Sequence, residues 1–239
     1  MTVLGYGAAT TAAAHLVPSV AAIGTLRRAV LPGLAGRGRD RHIALTFDDG
    51  PAPESTPRFL DELARLDVRA TFFVLGAHLA AHPRLGRQLV AGGHEVAVHG
   101  WSHRVHLLRT PWTIRADLDR AVDCIASVTG AAPRHWRPPH GIPTGTSLWA
   151  ARHLGLRAVL WTADGRDWQA EATAASVQAR VESLLRGGGT VLLHDADTMS
   201  APGSWRSALG ALAPLVARWR ARGWQVGPLA EHWGAHAAG

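Results

Sequence analysis

The chain has 239 residues, 47% of them apolar and 18% charged, a balance that calls for a folded core and rules out a disordered segment. Its 25 basic residues are all arginine and exceed the acids by seven, yet they are scattered, with no basic helix or aromatic RNA-binding signature, so nucleic acid is not an expected partner. One cysteine, Cys124, excludes an internal disulfide and a cysteine-cluster metal site; on an amphipathic stretch it reads as an inert thiol.

Residues 1–41 stand apart. The first 26 carry no charged side chain, and Arg27 and Arg28 follow. No positive region precedes the apolar stretch, so it does not read as a secretory signal. Residues 3–26 are marginally hydrophobic and interrupted by His15 and Pro18, which fits either a weak membrane anchor or a helical extension packed on the rest.

From residue 42 to 239 the pattern is that of one domain. His42 to Phe47 reads as a strand, and Thr56 then caps a helix with Pro57 in its first position and Phe59, Leu60, Leu63 and Leu66 at helical spacing. Further strands are expected at 70–75, 95–99, 135–137, 157–161, 190–194 and 223–226, with helices at 83–91, 113–129, 146–154, 171–186 and 204–222. Such alternation predicts an α/β fold, a distorted (β/α) barrel of about seven parallel strands. Gly187-Gly188-Gly189 precedes a strand with no Lys-Ser/Thr pair, so it is a turn and not a phosphate loop.

Polar residues gather at the C-terminal strand ends, the face where parallel α/β folds assemble their chemistry. Asp48 and Asp49 follow the first strand, His99 and His103 the third, Arg137 the fourth, Asp164 and Asp167 the fifth and His194 the sixth. His99 and His103 are four apart, a spacing that on one helical turn puts both on one face, and a carboxylate completes a two-histidine, one-carboxylate metal site. His106 is a competing partner for His103. Adjacent Asp48 and Asp49 repel, so each needs a different partner, one a metal and the other an arginine, for which Arg137 is the candidate; the pattern alone does not decide which takes which.

The stretches ALTFDDGP, HGWSH, RPPHG, DGRDW and LLH, in this order, resemble the five motifs of the polysaccharide deacetylase family, carbohydrate esterase family 4, also called the NodB-homology domain. The resemblance covers roughly residues 42–230. It implies Asp48 as catalytic base, Asp49, His99 and His103 as ligands of a divalent ion, zinc or another transition metal such as cobalt, and Arg137 tuning Asp48. It also implies His194 as general acid supported by Asp167, and Pro139, His140, Trp168 and Leu192 against the substrate. The implied activity is removal of N-acetyl groups from an N-acetylated glycan, peptidoglycan or chitin-like, which favours an extracytoplasmic or membrane-associated setting. Hydrolysis of another C–N bond and a non-catalytic glycan-binding descendant are the alternatives.

Two positions depart from the family pattern. Gly100 stands where Ser or Thr follows the first metal-ligating histidine, which removes a loop-stabilising hydroxyl, and His140 replaces the tyrosine whose backbone amide is thought to help the oxyanion. Neither removes a ligand or the acid–base pair, so an active hydrolase with altered substrate preference is expected. Trp161 and Trp219 read as structural, and Asp195 as support for the loop after His194.

Overall fold

The computed structural model describes residues 14–233. The strands are β1 (His42–Asp48), β2 (Thr71–Leu75), β3 (Glu95–Gly100), β4 (His135–Trp136), β5 (Arg157–Ala158), β6 (Ala163–Asp164), β7 (Thr190–His194) and β8 (Gln225–Gly227). All pairings are parallel; seven strands run in the order β5-β4-β3-β2-β1-β7-β6, and β8 pairs off this path with His42 to Ala44 of β1.

The two edge strands of this order, β5 and β6, are joined by residues 159–162 alone. Four residues reach at most about 17 Å, so the sheet must curl until its edges nearly meet. The single strand expected over 157–161 is therefore two short ones on opposite edges: the apolar run continues, but it is spent crossing the gap. The N-terminal segment helps fill that gap, since the Leu160 N–H donates to the Leu34 carbonyl at 2.8 Å and the Thr190 hydroxyl to the Gly36 carbonyl at 2.6 Å.

Strand parity sorts the side chains. Ile43, Leu45, Phe47, Phe72, Val74, Val96, Val98, Trp136, Val191 and Leu193 belong to the main core with the surrounding helices, whereas Ala44, Phe73 and Ala97 form a small cluster inside the curl with Val159 and Leu229. The inward set of β1 thus continues through Thr46 to Asp48, that of β3 reaches His99, that of β7 reaches Leu192 and His194, and Arg137 follows Trp136 on the inward side. Period two alone delivers four polar side chains to the C-terminal mouth.

Helices follow the expected spans with one addition, Gly76–Ala81, directly after β2. The helix Thr56–Arg65 begins as expected, but the Thr56 side chain does not cap it; its hydroxyl accepts from the Ala52 N–H and donates to Asp195. Residues 14–36 lie against the barrel in short turns, a 3-10 helix Val17–Ala22 and a helix Gly24–Val30. His15 bonds the Thr146 hydroxyl and the Leu107 carbonyl, and Arg27 donates to the Ala21 and Trp161 carbonyls. Among the described residues no helix is long and apolar enough to cross a membrane; residues 3–13 of the expected anchor lie outside them.

Candidate active site

Asp48 ends β1 facing inward, and Arg137 meets it. The guanidinium, fully buried, donates to Asp48 Oδ1 at 2.6 Å, to the Thr46 hydroxyl at 2.9 Å and to the carbonyls of Val159 and Leu160, and it lies 4.1 Å over the Phe73 ring. Burial pulls the Arg137 pKa down and the Asp48 charge opposes this. A buried pair of this kind is held by geometry; its second carboxylate oxygen, Asp48 Oδ2, stays 3.8 Å from His99 Nε2.

Asp49 should point away from Asp48 by strand alternation, but the strand has ended. Its φ of +78° re-aims the side chain into the mouth, and its carbonyl accepts from His78, on the helix after β2, at 2.9 Å. Gly50 leaves room behind the turn: a Cβ there would sit 2.3 Å from Asp195 Oδ2. Asp195, whose N–H donates to the Asp48 carbonyl and whose carboxylate accepts from Thr56 at 2.6 Å, therefore supports the Asp48–Gly50 turn rather than the loop after His194. Burial first, then repulsion from Asp49, pushes the Asp195 pKa up to about 7 against the Thr56 bond.

His99 and His103 come together, although not on a helical turn. β3 ends at Gly100, where φ is +129°, a region open to glycine, and a Cβ would meet Asp117 Oδ2 at 3.1 Å. Asp117 holds the reversed chain: it accepts from the Trp101 N–H at 2.8 Å, the Ser102 hydroxyl at 3.1 Å and Arg109 at 3.0 Å. The hydroxyl expected to be missed at position 100 is thus answered by a carboxylate from the helix Pro111–Thr129. His106 is drawn elsewhere, buried and stacked on Trp136.

Asp49, His99 and His103 present ligand atoms that all lie within 4.8 Å of one another. Asp49 Oδ1 sits 3.4 Å from His99 Nε2 and 3.3 Å from His103 Nε2, buried and without a hydrogen-bond partner. Nδ1 of His99 donates to the Arg137 carbonyl at 2.9 Å, which fixes Nε2 as the inward atom. Burial, reinforced by the charge of His99, depresses the His103 pKa to about 3, as a neutral ligand requires. Burial opposes charge on both Asp49 and His99, yet His99 beside it, with His194 and His103, keeps Asp49 well below the carboxylate range, and Asp48 and Asp49 raise His99. A site that draws a proton onto an imidazole between two carboxylates calls for a cation, and one carboxylate with two imidazoles suits a divalent transition metal.

On the neighbouring strand, His194 is the in-register partner of Asp48. Asp167 accepts from the His194 N–H at 2.7 Å and lies 3.1 Å from its Nδ1. Burial alone would lower the imidazolium pKa; Asp167, with Asp49 and Asp48 beyond it, outweighs burial and lifts it to about 10. Trp168 stands edge-on to the ring at 5.4 Å and Leu192 is buried on the same strand, while Asp164 is taken up by Arg180. His140, at φ +57° just after buried Pro139, stands edge-on to His103 at 4.3 Å with burial and His99 lowering its pKa. Asp48, Asp49, His99, His103, Arg137, Asp167 and His194 meet at this mouth, whereas His106 and Asp164 are engaged elsewhere. Asp117, His78 and Thr56 were not anticipated; only Asp117, a carboxylate between Ile114, Leu118 and Ala121 on an otherwise apolar face, left a signal.

Residues 35–159 match the family model described as polysaccharide deacetylase. The chitooligosaccharide deacetylase of Bradyrhizobium sp. (strain ANU 289) is 38% identical over 201 residues, 80% of this chain and 90% of the relative. Among solved structures, the Bc1960 peptidoglycan N-acetylglucosamine deacetylase aligns with a TM-score of 0.77 at 26% identity, covering 84% of this chain and 92% of that one. BA3943 from Bacillus anthracis, a CE4 family pseudoenzyme, aligns at 0.74 and 25% identity over 82% of this chain and 67% of its own.

Proposed function

The chain belongs to the polysaccharide deacetylase family, and from that premise we propose that it is a metal-dependent N-deacetylase of N-acetylglucosamine oligosaccharides, with zinc as the ion its donor set suits. The observation that carries this is the pairing around Asp49, His99 and His103 of two separately supported groups in register, Asp48 on Arg137 and His194 on Asp167. A binding module has no use for a base and an acid each with its own buried support. The similarity to a chitooligosaccharide deacetylase along 90% of that protein's length favours a chitin-like oligomer over peptidoglycan.

A divalent ion held by Asp49, His99 and His103 would act as a Lewis acid on the acetamide carbonyl and lower the pKa of water at the site. Asp48, oriented through Oδ1 by Arg137, takes the proton of the attacking water at Oδ2. His194, charged and turned by Asp167, delivers a proton from Nε2 to the amide nitrogen as the C–N bond breaks, so that the amine leaves neutral. Trp168 and Leu192 wall the side of His194 and exclude water where the acetyl methyl sits. Pro139 fixes the approach of His140, whose backbone N–H serves the developing oxyanion and whose ring lines the groove where relatives carry tyrosine.

The test is release of acetate from N-acetylglucosamine oligomers by metal-reconstituted protein. Turnover that is lost on chelation supports the proposal. Binding of oligomers without turnover under any divalent metal would make the chain a glycan-binding descendant, and turnover only of small non-sugar amides would make it a hydrolase of another C–N bond.

A further inference from the structure

Eleven large apolar side chains are exposed among the described residues, and they are not spread evenly. Four fall within residues 16–26, three within 105–112, and another is Trp149. Leu108 is 95% and Trp112 83% exposed. Scattered singly such residues need no explanation, but a contiguous patch marks an interaction site.

His15 makes them contiguous. Its ring joins the Leu107 carbonyl at 3.1 Å to the Thr146 hydroxyl at 2.9 Å, so Leu16 and Val17, Leu108, and the helix Gly145–His153 meet there. Ala14 packs against Gly145, whose added Cβ would fall 2.0 Å from the Ala14 carbonyl oxygen. Trp149, three residues beyond Thr146 and four beyond Gly145, lies on that same helix face.

Charge then selects the partner. Segments 14–39, 101–116 and 131–163 contain no Asp or Glu; of their arginines Arg27 and Arg137 are buried and Arg109 and Arg115 are paired with Asp117 and Asp119, whereas Arg104 and Arg152 are exposed within four residues of Leu108 and Trp149. Exposed apolar and indole side chains flanked by the exposed cations Arg104 and Arg152 match the boundary of an anionic bilayer, where leucine and tryptophan enter the acyl–headgroup region and arginine meets lipid phosphate. Residues 1–13, which precede this patch in the sequence, also carry no charged side chain.

We propose that the face built from residues 14–26, the 104–112 loop and the helix Gly145–His153 docks on an anionic lipid surface. The protein lies on the membrane by this face, with no need of a spanning segment. Because the 104–112 loop begins beside His103, docking sets the mouth of the barrel close to the bilayer. The inference is independent of the proposed deacetylation.

The test is flotation of the full chain with phosphatidylcholine vesicles, plain or carrying roughly 30% phosphatidylglycerol. The wild type is expected to float with the anionic vesicles, at least tenfold more weakly with neutral ones, and to detach at high salt. The double variant Leu108→Ser/Trp112→Ser should lose at least tenfold in binding, whereas Val90→Ser/Met199→Ser, exposed apolars elsewhere, should not change it. Circular dichroism of each variant separates loss of binding from loss of fold, and a milder pair, Leu108→Ala/Trp112→Ala, repeats the measurement should the first not fold. Wild-type chain that stays out of both vesicle fractions overturns the proposal, as does a sedimentation shift on mutation showing that a second copy of the chain covers the face. Binding that ignores the Leu108 and Trp112 changes equally overturns it.

Discussion

Replacing Asp167 by Asn removes the carboxylate that keeps His194 charged while leaving a side chain of nearly the same shape. In the intact protein burial lowers the imidazolium pKa, but Asp167, 3.1 Å from Nδ1, and the more distant Asp49 and Asp48 overcome it and hold it at about 10. One opposite charge at such range accounts for about 1–3 pKa units, or about 1.4–4 kcal/mol. Since the folded state binds this proton more tightly than an unfolded histidine does, the stabilisation is whole below about pH 6.5 and is lost as pH rises toward 10. Urea unfolding of the metal-free protein at about pH 6 and about pH 9.5 reads it directly. The wild type should lose more stability across that window than Asp167→Asn, by at least about 1.4 kcal/mol. On the proposed role of His194 as general acid, the variant is deprived of that acid at neutral pH, so kcat should fall at least ~100-fold, and the basic limb of its kcat profile should move to lower pH. Equal pH dependence of stability in both proteins, with an unmoved basic limb, would refute the assignment of His194 as an acid held charged by Asp167.

Arg137→Met leaves the buried Asp48 carboxylate without its counter-charge and should cost about 3–5 kcal/mol, a fall in Tm of roughly 10 °C, with Arg137→Lys recovering only part because one ammonium cannot reach Asp48 and the Val159 and Leu160 carbonyls together; calorimetry decides. Gly100→Ser, which restores the residue type usual in the family, should not help: at φ +129°, with Asp117 3.1 Å from the new Cβ, it should lower stability by about 1–3 kcal/mol in thermal unfolding. Asp117→Ala strips the partners from Trp101 N–H, Ser102 and Arg109, so zinc affinity measured by chelator competition should drop about 10–100-fold.

What could be read from the sequence was whatever strand periodicity and short spacing control. Alternation along β1, β3 and β7 brings Asp48, His99 and His194 inward, and their polar character at the ends of apolar runs marks them in the sequence itself. Residues 157–161 misled because an apolar run looks the same whether it lies in one strand or crosses between two edges. The supports of the site were hidden for a different reason. Thr56 reads as a helix cap, and only the folded chain brings it 2.6 Å from Asp195, 139 positions away. Likewise His78 reaches the Asp49 carbonyl because the Gly76–Ala81 helix, too short to announce itself by periodicity, sits under the turn. Gly100 looked like a loss because the compensating Asp117 lies on the next helix, beyond the reach of motif spacing.

A single substitution tests the proposed division of Asp48 and Asp49 between proton transfer and metal binding. Asp48→Asn keeps Asp49, His99 and His103 intact, so the purified variant should take up one equivalent of zinc with affinity near that of the wild type and release no acetate from N-acetylglucosamine oligomers. Turnover within tenfold of the wild type, or loss of the zinc itself, would contradict the division of roles.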